Sequence, residues 1–198
     1  AEVASTLDEN LLLHYMLGHN SDKATRLFLL GQYLDGMRAT LFRQTLFAEF
    51  ELRIHETVEK DEALTGESMT RLYLALLKEY YGADAGVCAV DDLYGIEWAY
   101  IPHFYYNFYV YQYSTSIMAS SAIAARIREE AAATPPSTHT RDAYLAMLSS
   151  GSSKYPIELL DGVGVDMTTA APCEAAMREM NAAMDEIERL LATTEETK

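Results

Sequence analysis

Apolar residues recur at helical spacing along most of this chain, and this periodicity constrains the fold more than any other feature of the sequence. It is clearest after residue 21, where an apolar stripe continues to the charged residues 56–62 and predicts one helix of about 35 residues. The stripe consists of Leu27, Leu30, Leu34, Met37, Leu41, Phe47, Phe50 and Ile54. Shorter stripes flank this segment, and no alternating β-pattern or internal repeat interrupts them. The sequence therefore predicts an all-α fold.

Capping residues and glycine or proline breaks give the expected limits of the other helices. A first helix covers about residues 2–17, Ser21 is placed to cap the long helix, and a third helix runs from residue 66 to the stop at Gly82. The aromatic run 104–113 is expected to continue into a central helix that ends before Pro135. The remaining expected elements are an irregular region at 83–103, short helices at 141–148 and 157–160, and a terminal helix with Pro172 at its first position.

Charge and cysteine content narrow the possible partners. The 198 residues include 30 acidic and 15 basic side chains, which gives a formal net charge of -15. Such a charge repels phosphate backbones and anionic lipid surfaces, so neither a nucleic-acid partner nor a membrane partner is expected. Cys88 and Cys173 lie far apart in no ligand spacing, as expected of reduced thiols in a cytoplasmic protein. The length suits one domain covering residues 1–198.

Two carboxylates on the first predicted helix form the first candidate site. Glu2 and Glu9 are seven residues apart, nearly two helical turns, so both side chains project from the same face. Such a pair could ligate a metal, or one carboxylate could ligate while the other orients a neighbouring ligand. More commonly, such a pair is simply part of a solvent-exposed acidic face on an acidic protein. The sequence does not decide between a metal-binding role and an exposed acidic face.

A dense aromatic run beside His103 forms the second candidate site, in the sequence PHFYYNFYVYQY at residues 102–113. Tyrosine hydroxyls and an imidazole that line a cleft can bind a peptide backbone and donate hydrogen bonds to a developing oxyanion. Roughly half of these rings are expected to pack into the core instead, because a helix buries about half of its circumference.

Two histidine patterns resemble metal sites without meeting their requirements. His55 begins a His-Glu pair, but Glu59 occupies the position of the second histidine in an HExxH motif. His14 and His19 are five residues apart, which places them on different faces of a helix, so core or surface roles are expected for both.

Three segments of the chain together resemble the oligoendopeptidase F branch of the thimet-type zinc endopeptidases. The sequence EVASTLDE at residues 2–9 is similar to the family helix that follows HExxH, and residues 103–113 are similar to the family's His/Tyr helix. The third match is GSSKYPIELL at residues 151–160, followed by GVDM at residues 164–167, which resembles the family's C-terminal signature. The resemblance covers essentially the whole chain and implies the C-terminal helical part of a peptidase catalytic domain.

The resemblance implies specific roles for the candidate residues. Glu2 corresponds to the third zinc ligand. Glu9 corresponds to a carboxylate that does not bind the metal itself but supports the residues that do. The residues that the resemblance assigns to substrate binding or oxyanion stabilisation are His103, Tyr106, Tyr109 and Tyr111. It favours Tyr111 for the oxyanion. The family's substrates are short peptides. Glu2 and the hydroxyl-bearing side of the aromatic run are expected to face one substrate.

The HExxH helix that the family carries before the third ligand is not in this sequence. The chain also opens on AEVAS without a capping residue, so the missing part is expected to be N-terminal. We therefore expect a fragment without zinc or catalysis of its own, which self-associates through faces that the missing part would cover. The alternative is a stand-alone helical domain that binds peptides or a partner protein without catalysis.

Overall fold

The computed structural model describes residues 2–192, and every secondary-structure element in that range is helical, which confirms the all-α prediction. The helices are α1 Val3–His19, α2 Lys23–Met37, α3 Arg43–Glu59, α4 Gly66–Tyr80, α5 Tyr111–Ala132, α6 His139–Ser149, α7 Pro156–Gly162 and α8 Ala171–Ala192. Two 3-10 helices, Asp92–Tyr100 and Pro102–Tyr106, occupy the region predicted to be irregular. None of the helices in the described range is long and apolar enough to span a bilayer.

The chain forms two compact units. Unit 1 contains the residues up to Arg38 together with those from Thr115 onward, and unit 2 contains residues 39–114. The interpretation of residues 1–198 as one part of a catalytic domain stays a prediction.

The long helix predicted after residue 21 is present, with one irregular turn. Segments α2 and α3 are joined by a π-helical turn at Arg38–Phe42, so helical backbone continues from Lys23 to Glu59. The predicted cap was wrong by one residue. Asp22, not Ser21, is the N-cap, and its carboxylate accepts a hydrogen bond from Thr25 N at 2.8 Å. That bond, followed by the bond from the Thr25 hydroxyl, lowers the pKa of Asp22.

The prediction that the aromatic run belongs to the central helix was wrong for most of its length. Helix α5 begins only at Tyr111, because Asn107 (φ 51°) and Phe108 (φ 57°) adopt left-handed backbone angles that end the preceding 3-10 helix. Left-handed angles cost a non-glycine residue about 1–2 kcal/mol. Sequence periodicity gave no warning of this reversal, since neither residue is the glycine that usually marks such a turn.

The terminal helix was predicted to within one residue. Helix α8 begins at Ala171, so Pro172 is its second residue rather than its first. Proline is still compatible with this position, because the amide groups of the first helical turn have no acceptor inside the helix.

The core of unit 1 lies among α1, α5, α6 and the α7 region. Its fully or almost fully buried side chains are Leu7, Ala119, Ile123, Ala124, Tyr144, Leu160, Val163 and Val165. A smaller apolar cluster joins Leu30 of α2 to Ala183 and Leu190 of α8. These clusters bury the apolar stripes that the sequence predicted, which is the main contribution to the stability of the unit.

The core of unit 2 is aromatic and lies between α3 and α4. It contains Leu46, Phe47, Phe50, Tyr73, Leu76, Leu77 and Val110. The first 3-10 helix packs closely on α4 at Gly95, where an added Cβ would lie 3.0 Å from the Thr70 methyl carbon. Trp98 anchors the same contact by donating its indole N–H to the Thr70 hydroxyl at 3.2 Å. Unit 2 thus supplies a packed base for the aromatic segment that follows.

Candidate functional site

The aromatic segment of unit 2 folds into a ring cluster in which three tyrosine rings lie around the imidazole of His103. The imidazole lies in the second 3-10 helix, and its ring centroid is 6.2 Å from Tyr106, 5.9 Å from Tyr109 and 5.7 Å from Tyr113. The Tyr109 ring stacks on the imidazole, while the other two meet it edge-on. These are the offset and T-shaped arrangements that aromatic pairs prefer.

The imidazole is also held by a hydrogen bond. The Tyr113 hydroxyl lies 3.3 Å from His103 Nε2, and the imidazole tautomer decides which of the two groups donates. Tyr113 was not among the predicted site residues. The sequence signal for it was absent, because on a continuous helix residues 103 and 113 would be about 15 Å apart.

The predicted tyrosines differ in exposure. Tyr106 keeps 65% of its surface exposed and Tyr111 keeps 48%, whereas Tyr109 is half-buried under the imidazole. Tyr111 is the first residue of α5, one turn away from the ring cluster. The structure therefore brings the rings of His103, Tyr106 and Tyr109 together, and Tyr111 takes part in none of these ring contacts. Exposed phenol groups of this kind can donate hydrogen bonds to peptide carbonyls.

A polar triad of Glu97, Arg43 and Tyr73 joins the first 3-10 helix to α3 and α4 in unit 2. Glu97 of the first 3-10 helix forms an ion pair with Arg43 of α3 and accepts a hydrogen bond from the Tyr73 hydroxyl at 2.7 Å. Burial, followed by the hydrogen bond to Glu97, raises the pKa of Tyr73 well above its usual value. The hydroxyl therefore stays protonated and the triad keeps its hydrogen bond at any physiological pH.

The predicted metal-binding carboxylates lie on α1 in unit 1. Glu2 is the N-cap residue, and its backbone carbonyl accepts hydrogen bonds from the amide of Thr6 at 3.1 Å and from the hydroxyl of Thr6 at 2.8 Å. The Ser5 hydroxyl donates to Glu2 Oε2 at 3.4 Å. Glu9 is exposed on the following turns of the same helix. Both positions are compatible with the predicted roles, which remain predictions.

The described residues do not form a metal site by themselves. No group of three or more histidine, cysteine, aspartate or glutamate side chains within residues 2–192 is arranged to hold a metal ion. Zinc needs at least three protein ligands in catalytic sites. Glu2 could contribute one carboxylate, so any zinc site that uses it requires further ligands.

The third sequence motif has a structural explanation. In the 151–160 segment, the Glu158 carboxylate accepts the backbone amide of Tyr155 at 3.0 Å and thereby supports the start of α7. Gly164 has a φ of 82°, and its carbonyl accepts a hydrogen bond from Arg126 Nη1 at 2.5 Å. The Asp166 carboxylate accepts from Thr168 N at 2.9 Å. These residues build a turn in unit 1 rather than a cluster of reactive groups.

The sequence and the fold of this chain both match those of known proteins. The model of Peptidase family M3 matches residues 1–179 of the chain. The chain belongs to peptidase family M3. It is 46% identical over 191 residues to Oligopeptidase PepF of Bacillus subtilis and 41% identical over 194 residues to Group B oligopeptidase PepB of Streptococcus agalactiae. The crystal structure of oligoendopeptidase-F from Enterococcus faecium superposes with a TM-score of 0.87 at 42% identity and covers 97% of the chain. The resemblance to oligoendopeptidase F drawn from the three motifs is thereby confirmed.

The matched region is a minor part of each relative. Alignments cover 96% of this chain and 27% of the Bacillus subtilis protein, and 97% of this chain and 30% of the Streptococcus agalactiae protein. The crystal structure is covered over 35% of its chain. Activity, substrates and partners of the whole relatives therefore do not transfer to this chain by similarity alone.

Proposed function

We propose that this chain contributes the substrate-facing helical part of a zinc endopeptidase that cleaves short peptides. The observation that carries the proposal is the ring cluster of His103, Tyr106 and Tyr109 in a member of peptidase family M3. The family's peptidases are zinc metallopeptidases, and the relatives are named as oligopeptidases and oligoendopeptidases. An exposed phenol and an imidazole on a packed base suit hydrogen bonding to a peptide backbone.

The residues of the chain take distinct roles in this proposal. Glu2 supplies one carboxylate ligand to zinc, and Glu9 orients the ligands from the same helix face. His103, Tyr106 and Tyr109 bind the substrate, and Tyr111, which the family resemblance favours, donates a hydrogen bond to the oxyanion. Bound zinc activates a water molecule and polarises the scissile carbonyl in enzymes of this kind. The proposal requires Glu2 and the ring cluster to act on one substrate.

We propose further that the chain on its own is inactive. The 198 residues contain no HExxH sequence, and the described residues contain no three-ligand group. A single carboxylate binds zinc too weakly for stoichiometric retention. Purified chain should therefore neither hydrolyse fluorogenic peptides nor retain zinc after dialysis, and chelator-sensitive turnover would contradict this.

A chimeric enzyme tests the proposed function directly. The matching segment of the Bacillus subtilis oligopeptidase, 46% identical over 191 residues, is replaced by this chain. We expect the chimera to bind zinc and to hydrolyse short peptides. Glu2→Gln should abolish zinc retention, and Glu9→Gln should weaken it by about 10–100-fold. A chimera that folds and binds zinc but cleaves no peptide would contradict the proposal.

The same chimera assigns the tyrosines. Phenylalanine is substituted for Tyr106, Tyr109 and Tyr111 in turn, which removes only the hydroxyl. Loss of an oxyanion donor should lower kcat by about 10²–10³-fold with little change in KM, whereas loss of a binding contact raises KM. If all three variants keep full kcat and KM, the aromatic segment has no part in catalysis.

We also propose where the protein is located and how the isolated chain assembles. Both thiols, Cys88 and Cys173, are free and exposed, as suits a reducing compartment, so we place the protein in the cytoplasm. The net charge of -15 is unfavourable for nucleic-acid and membrane surfaces. Self-association of the isolated chain is proposed from its exposed apolar side chains.

A further inference from the structure

A buried carboxylate of unit 2 accepts a hydrogen bond from a distant turn. Glu51 of α3 is only 1% exposed and follows Phe50, a member of the aromatic core, in the sequence. Its Oε1 atom accepts a hydrogen bond from the backbone amide of Phe108 at 2.7 Å, across 57 residues of sequence. Burial of a carboxylate is unfavourable unless hydrogen bonds compensate it, so an apolar residue would be the simpler choice at this position.

The partner of Glu51 lies at the point where the backbone reverses. Asn107 and Phe108 both have positive φ angles, and such conformations persist only where surrounding contacts enforce them. Two side chains of α3 provide those contacts. Glu51 holds the Phe108 amide, and His55, one turn later on the same face, packs its ring 4.5 Å from the Phe108 ring centroid.

The reversal decides where the site residues lie. It separates the 3-10 helix that carries His103 from the first turn of α5 that carries Tyr113. If the backbone continued as a helix, these residues would be about 15 Å apart. With the reversal, Tyr113 Oη and His103 Nε2 are 3.3 Å apart, and Tyr109 stacks on the imidazole. The ring cluster therefore depends on the turn, and the turn depends on α3.

We propose that Glu51 is a positioning residue for the substrate-binding cluster. Through its hydrogen bond to Phe108 N it holds the left-handed turn that sets the His103 imidazole against Tyr109 and Tyr113. This inference rests on the proposed function for its catalytic consequence, whereas its structural part stands alone. It assigns a role to a polar side chain in the interior, because a side-chain oxygen can accept the Phe108 amide and an apolar side chain cannot.

Nuclear magnetic resonance of the chain tests the structural part. In the unmodified chain, the Phe108 amide should be protected from exchange and should show a scalar coupling across the hydrogen bond to the Glu51 carboxylate carbon. Absence of both would overturn the proposal without any mutation. Contacts between the His103 and Tyr109 rings should be visible as nuclear Overhauser effects.

Three variants separate positioning from general stability. Glu51→Leu fills the same space but has no hydrogen-bond acceptor. It should speed hydrogen exchange at the Phe108 amide at least tenfold and abolish the nuclear Overhauser effects between the His103 and Tyr109 rings. Glu51→Gln keeps an acceptor oxygen and should restore most of both. The matched control is Glu49→Leu, on the same helix, whose carboxylate bonds instead to Tyr80 Oη at 2.7 Å and pairs with Arg53. Unchanged Phe108 exchange in Glu51→Leu would overturn the proposal.

The chimera supplies the catalytic readout. Glu51→Leu should lower kcat at least tenfold, Glu51→Gln should recover much of that loss, and Glu49→Leu should stay within twofold of the unmodified chimera. An inactive unmodified chimera would count against the proposed function, while Phe108 exchange in the chain would still decide the role of Glu51. A Glu51→Leu chimera with full kcat would overturn the positioning role itself.

Discussion

His14 Nε2 on α1 lies 3.3 Å from Glu179 Oε1 on α8, and this pair is the centre of a polar network in the interior of unit 1. Asn10 donates to Glu179 Oε2 at 2.8 Å, and Arg128 of α5 forms an ion pair with the same carboxylate. Arg128 also donates to Asn10 Oδ1 at 2.9 Å. Three helices that are distant in sequence are thus joined by one carboxylate, whose side chain is 10% exposed.

Glu179 should make the stability of the chain depend on acid pH. Burial alone would raise its pKa, but the hydrogen bonds from His14 and Arg128 and the charge of Arg128 outweigh it and lower the pKa. A group with a lowered pKa in the folded state stabilises fully above its unfolded pKa, here about 4.5. This stabilisation is lost as the pH falls through the folded-state pKa.

Removal of that charge should be costly at neutral pH. We expect Glu179→Gln to lower the free energy of unfolding by roughly 2 kcal/mol, because Arg128 is left without its ion-pair partner. The Arg128 side chain is 31% exposed, which places the loss below that of a fully buried pair. Urea denaturation at pH 7 and below pH 4 measures the loss in the free energy of unfolding. The difference between variant and unmodified chain should shrink at acid pH, and a constant difference would argue against the linkage.

The Tyr33 hydroxyl is the reverse case, a buried polar group without a partner. Among the described residues no hydrogen-bond partner reaches this hydroxyl, and burial, followed by the nearby charge of Glu179, raises its pKa. A buried hydroxyl that makes no hydrogen bond is destabilising. Tyr33→Phe should therefore leave stability unchanged or raise it by up to about 1 kcal/mol. Thermal denaturation decides this, and a loss of more than 1 kcal/mol would indicate a bridging water molecule.

The sequence predicted those features of the structure that depend on local residue patterns. The stripe from Leu27 to Ile54 predicted helical backbone over α2 and α3, and the three motifs identified the family. It failed at Asn107 and Phe108, because their backbone angles are held by Glu51, a contact across 57 residues that no local pattern encodes. The ring cluster around His103 depends on that contact. The sequence named His103, Tyr106 and Tyr109 as candidates, but it gave no reason to place Tyr113 beside the imidazole.

Gly164 occupies a position that favours glycine. Its φ of 82° disfavours other residues, and a Cβ built there would lie 2.1 Å from Arg126 Nη1. Gly164→Ala should destabilise unit 1 by about 1–3 kcal/mol, since Arg126 must leave its bonds to the backbone carbonyls of this turn. Gly162→Ala is the control, because nothing lies within 4 Å of a Cβ at that glycine and its φ is not left-handed. Equal melting temperatures for the two variants would contradict the steric explanation.

The exposed apolar side chains of the 3-10 region should drive self-association. Within residues 92–106 the exposed fractions reach 82% for Leu93, 69% for Tyr100 and 81% for Tyr105. Contiguous apolar patches larger than several hundred Å² are rarely left open on monomers. The net charge of -15 opposes contact between copies, and salt screens that repulsion over about 10 Å at 0.1 M. Association should therefore strengthen as salt is added, which is the opposite of an assembly held by ion pairs.

Sedimentation velocity over a range of protein and salt concentrations measures this effect. Leu93→Asp combined with Tyr105→Asp should weaken association at every salt concentration, because each aspartate replaces apolar contact area with a charge that must be desolvated. Phe28→Asp serves as the control, since Phe28 is 65% exposed but lies on α2, away from the 3-10 region in sequence. If the control weakens association as much as the double variant, net charge and not the 3-10 region governs self-association. A monomer at all concentrations would contradict the prediction.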